Sequence, residues 1–76
     1  MMSKKSEIKK AISDSEKEIL ELERKRTRSQ SALLEAIINN EKPKPSDVEY
    51  FKVFTQLIEV ERDNLRKLNE ELKNLK

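Results

Sequence analysis

The side chains of this 76-residue chain that could do chemistry are hydroxyls, carboxylates, lysines, arginines and a single tyrosine; histidine and cysteine are both missing. That removes the usual general base at neutral pH, the thiolate nucleophile and the soft metal ligands together. Glycine is missing too, and with it the phosphate-cradling loops that need a residue without a Cβ. The carboxylates fall mostly at i,i+2 or i,i+4 with basic neighbours, the pattern of a solvated helix face. No stretch has calcium-loop spacing. The chain therefore reads as a non-enzyme, with no cofactor and no metal site.

Three groupings remain as binding chemistry. Arg24-Lys25-Arg26-Thr27-Arg28 is the main basic run, and Lys4, Lys5, Lys9 and Lys10 form a second cluster. Clustered cations attract phosphates. Formal net charge is only +2, however, and acidic residues flank both clusters. No aromatic residue is interleaved in the sequence to stack on bases. Arg24, Lys25 and Arg28 are thus read first as a polar contact patch for a protein, and second as a nucleic-acid surface. Arg26 and Glu61 are the second grouping, a charged pair expected to meet across a helical seam. There they either fix its register or reach past it to water. Tyr50, Val53, Leu57 and Val60 are the third, an apolar stripe at helical spacing that suits a protein interface.

What would position these groups is a helical hairpin. Ile8, Ile12, Ser15, Ile19, Leu22, Arg26, Ser29, Leu33 and Ala36 step by threes and fours, and so do Phe51, Phe54, Ile58, Glu61, Leu65, Leu68, Leu72 and Leu75. That is the a/d spacing of a coiled-coil seam. Folding the chain so that paired residue numbers sum to 87 sets Ala36 on Phe51, Leu22 on Leu65 and Arg26 on Glu61. The spacing predicts an all-α, antiparallel two-helix hairpin forming one domain over residues 1–76. Helix one is expected over 3–39, a loop over 40–45 and helix two over 46–76. Asn39 and Asn40 suit a left-handed helix end, and Pro43 and Pro45 break the helix. Ser46-Asp47-Val48-Glu49 has the form of a capping box.

Apolar residues are 34% of the chain and charged residues 42%, the composition of long exposed helices rather than a compact globule. A narrow two-helix seam leaves such a chain short of core. Leu34, Ile37 and Ile38 on helix one, with Tyr50, Val53, Leu57 and Val60 on helix two, exceed what that seam can cover. These seven are the expected interface of a homodimer, pairing hairpins into a four-helix bundle, or of a partner protein. No apolar run is long enough to span a bilayer and no signal-peptide pattern is present, so cytoplasm is the expected compartment. The functional expectation is a small interaction module, a regulator or adaptor of the kind phages and plasmids encode, that modulates a larger protein. The alternative is a nucleic-acid-binding hairpin dimer using Lys4, Lys5, Arg24, Lys25 and Arg28.

Overall fold

In the computed structural model, which describes residues 3–75, the chain is two helices and a short connection, with no strand among those residues. α1 runs Lys4–Ile38 and α2 runs Pro45–Asn74. Both lie within two residues of the expected boundaries, apart from Lys76, which falls outside the described residues. Helices of 35 and 30 residues are about 52 and 45 Å long. The molecule measures 57 × 17 × 16 Å, so the two must lie side by side. A connection this short makes them antiparallel.

Local chemistry sets the ends. The Ser3 hydroxyl accepts from the Ser6 amide at 3.1 Å and caps α1. At the other end Asn40 adopts φ 56°. Its amide donates to the Ile37 carbonyl at 3.1 Å, and the Glu41 amide donates to the Ala36 carbonyl at 2.8 Å. This pair of bonds is a Schellman motif, with asparagine in the left-handed position that glycine usually fills. α2 starts differently from the expectation. It begins at Pro45, so Ser46 is already inside the first turn and the capping box is not used. The N-cap is Lys44, whose side chain makes no capping bond. Its carbonyl accepts from the Asp47 and Val48 amides. Proline explains the shift, because its φ is preset for a first helical position and it has no amide to satisfy there.

Every residue of both apolar ladders is buried or half-buried. Ile58 is the most enclosed side chain, 1% exposed, with Ile8, Ile19, Leu22, Ser15 and Ser29 also buried. The axial register differs from the expected one. Phe54 lines one groove with Lys25 and Ser29, which lie toward the start of α1 from the expected Leu33. Leu65 lines another with Glu16 and Ile19, again toward the start of α1 from the expected Leu22. Ala36 shares a groove with Lys44 and Asp47, which precede the expected Phe51. All these neighbours are displaced in the same direction, by three to eight residues. A seam that repeats every three or four residues is satisfied equally well after such a slide, so apolar spacing alone does not select the register.

The polar rungs follow the slide. Glu61 is not paired with Arg26: the Ser15 hydroxyl donates to its Oε1 at 2.7 Å, and Asn64 donates to the same oxygen at 3.2 Å. Among the described residues the ion pair that crosses the hairpin is Glu23–Arg62, at 3.2 Å and well exposed. Arg26 is half-buried on the turn between Lys25 and Ser29, level with Phe54.

Two stability measurements test these assignments. Asn40→Val should lower the melting temperature by roughly 4–8 °C, since a β-branched residue is costly at positive φ, while Asn40→Gly should hold or raise it. An Asn40→Gly protein melting below the parent would contradict the left-handed cap. Glu61→Lys should destabilise the hairpin more than Glu59→Lys, because it takes the acceptor from Ser15 and sets a cation in the seam. Equal melting temperatures for these two variants would remove Glu61 from the seam's polar network.

Candidate interaction surface

With side chains about 100° apart around each helix, the hairpin has two broad faces flanking the seam. Stepping backward from the α2 seam, Tyr50, Val53, Leu57 and Val60 form one continuous row. All four are exposed. Stepping backward from the α1 seam, Glu18, Glu21, Lys25 and Arg28 form a second row at the same kind of spacing. Antiparallel packing brings these two flanks to the same face. Lys25, Arg28, Ser29, Tyr50 and Phe54 accordingly line a single groove. The Tyr50 and Phe54 rings stack at 6.1 Å between centroids, so the half-buried Phe54 supports the exposed Tyr50 from the seam side.

The opposite face is built differently. It carries the Glu23–Arg62 ion pair and a groove lined by Glu16, Ile19, Leu20, Arg62 and Leu65. Its exposed apolar residues on α1, Leu20, Leu34 and Ile37, are interrupted by Glu23, Thr27 and Gln30, so it has no continuous apolar row.

The seven apolar residues expected to act as one association surface are therefore divided. All are exposed, but only the four on α2 make a row. Leu34, Ile37 and Ile38 step forward from the α1 seam, toward the outer side and the opposite face. Ile38, two residues past the seam residue Ala36 and thus about 200° from it, is 78% exposed. The basic residues divide as well. Lys25 and Arg28 join the apolar row, whereas Arg24 lines a groove with Leu20, Glu23 and Thr27 that Arg28 also borders. Lys4 and Lys5 lie about 30 Å along α1 from Arg24, so the two cationic clusters do not merge.

Phe54 and Ser29 belong to this surface although the sequence placed them only in the seam. Glu18 and Glu21 were missed. Their signal was present in the i, i+4, i+7 relation of Glu21, Lys25 and Arg28. Among the described residues no group of three carboxylates comes together to hold a metal ion, and no helix is long and apolar enough to cross a membrane. The chain matches no known protein family, no curated relative and no solved structure. The functional argument therefore rests on this face.

Proposed function

We propose that the chain is a small non-enzymatic interaction module, a regulator or adaptor of the kind phages and plasmids encode, which binds and modulates a larger protein. One imbalance carries this reading. Among the described residues eight large hydrophobic side chains are exposed and only four are fully buried, the rest of the seam being half-buried, so the hairpin leaves much of its apolar surface without a neighbour. Scattered apolar residues on a surface mean little, but a row of four with a tyrosine at one end and cations alongside has interface composition. The same row serves self-association into a coiled-coil-like, four-helix homodimer, since a two-helix seam alone is a thin core.

A second reading has one observation in its favour. The structure supplies the aromatic neighbours that the basic run lacks in sequence, by bringing Tyr50 and Phe54 against Lys25 and Arg28. Cations beside exposed rings also suit single-stranded nucleic acid. The separation of the two basic clusters and the adjoining Glu18 and Glu21 oppose it.

Capture of interactors by the tagged full chain, with and without nuclease, separates the two. The module reading expects a stoichiometric protein that survives nuclease and moderate salt and is lost with Leu57→Asp. Leu57 is exposed, so this variant should keep its helicity by circular dichroism. Bound nucleic acid whose retention falls steeply with salt, and which is lost with Lys25→Glu but not Leu57→Asp, would replace the module reading with the second.

A further inference from the structure

We infer that the face carrying Tyr50, Val53, Leu57 and Val60 is covered by a second copy of this chain, laid face to face and antiparallel, α2 on α2 and α1 on α1. The inference rests on the interaction-module reading in using the same face, and adds to it one occupant, one orientation and one register.

The face consists of two rows side by side. Both are graded along their length. At one end the aromatic Tyr50 shares a groove with the cations Lys25 and Arg28. At the other end Val60 adjoins Glu61, which Ser15 reaches across the seam, so the row there runs beside Glu18 and Glu21, one to two turns nearer the start of α1. A two-fold axis can lay this face on itself in two ways. With the axis along the helices, α1 of one copy covers α2 of the other, and the charged row is pressed onto the apolar row. With the axis across the helices, apolar meets apolar and charge meets charge, with both rows reversed.

The second arrangement matches both rows at once. The α2 row has spacing 3, 4, 3 and so reads the same in either direction. Reversing it places Tyr50 on Val60 of the second copy and Val53 on its Leu57. Ser46 and Asn64, one turn beyond each end, then meet as a polar rim. On α1 the order is acidic, acidic, basic, basic. Reversal sets Glu18 and Glu21 opposite Arg28 and Lys25 of the second copy, whereas a parallel run would set like on like. Charge order and apolar order were read on different helices; the charge order selects the reversal and the apolar order fits it about the same axis, close to the midpoint of Val53 and Leu57.

The chain has no cysteine, so introduced cysteines report position directly. Tyr50→Cys and Val60→Cys chains, one of them tagged, are mixed and mildly oxidised. The antiparallel dimer expects the mixed 50–60 disulfide to dominate. Like residues would be about 15 Å apart along the axis, beyond the roughly 4 Å between Cβ atoms that a disulfide allows. A dominant 50–50 product, or all three products in statistical proportion, would overturn the orientation while leaving self-association in place. A monomer in sedimentation equilibrium across the micromolar range, with no cross-link, would overturn self-association yet leave the partner-protein reading to the capture experiment. Charge exchange gives an independent check. Glu18→Arg and Arg28→Glu should each weaken the dimer by roughly five- to tenfold, and the doubly substituted chain should recover most of that loss. A double variant weaker than either single would overturn the proposed facing of the α1 rows.

Discussion

The bond between the Ser15 hydroxyl and the Glu61 carboxylate, 2.7 Å long across the seam, is the contact on which the rest of the arrangement turns. A carboxylate in an otherwise apolar seam must find donors there, because losing water without replacement is costly. Ser15 is 3% exposed and small enough to let the helices approach. Asn64, a turn farther along α2, supplies a second donor to the same oxygen. A heptad slide in either direction would keep leucine against isoleucine but take Glu61 away from this serine. Where the apolar ladder tolerates several registers, the polar rung distinguishes between them.

Register in turn decides which flanking residues become neighbours. With α1 set as observed, Lys25 and Arg28 fall beside Tyr50 and Phe54, and one face acquires an apolar row with a graded charged row next to it. In the register expected from the ladders, Lys25 would lie level with Arg62, and Tyr50 with Ile37. The exposed apolar side chains of both helices would then lie at the same level near the loop, still on opposite faces. A displacement of about two turns along the axis thus changes which α1 residues lie beside the row from Tyr50 to Val60.

Angular position was legible in the sequence and axial position was not. Spacing by threes and fours fixes which way a side chain faces whatever the partner helix does. For that reason all seventeen ladder residues, Ser15, Ser29, Arg26 and Glu61 included, are buried or half-buried. The left-handed end at Asn40 was legible on the same local grounds, since asparagine tolerates positive φ and two prolines follow. The start of α2 was misjudged because two local signals compete. Pro45 needs no capped amide and begins the helix one residue before the Ser46 box could act. The division of the exposed apolar residues follows from chirality. Leu34, Ile37 and Ile38 step forward from their seam, whereas Val53, Leu57 and Val60 step backward from theirs. When one helix is reversed against the other, forward and backward flanks fall on opposite faces. Counting apolar residues near a loop does not reveal this; following the sense of rotation on each helix does.

The asymmetry between the two faces also bears on how such a module could regulate anything. On the proposed reading the chain acts by occupying surfaces, so its output is set by competing affinities. If the row from Tyr50 to Val60 serves both a second copy and a larger protein, dimerisation and docking draw on the same exposed area. Each then weakens the other by the ratio of concentration to dissociation constant. Mutual exclusion of that kind needs no conformational change in the hairpin. A partner that engaged the opposite face instead, where Glu23 and Arg62 pair, would leave the dimer intact and receive two copies at once. The two arrangements differ in how activity varies with the amount of protein: the first falls off as dimer accumulates, and the second rises with it.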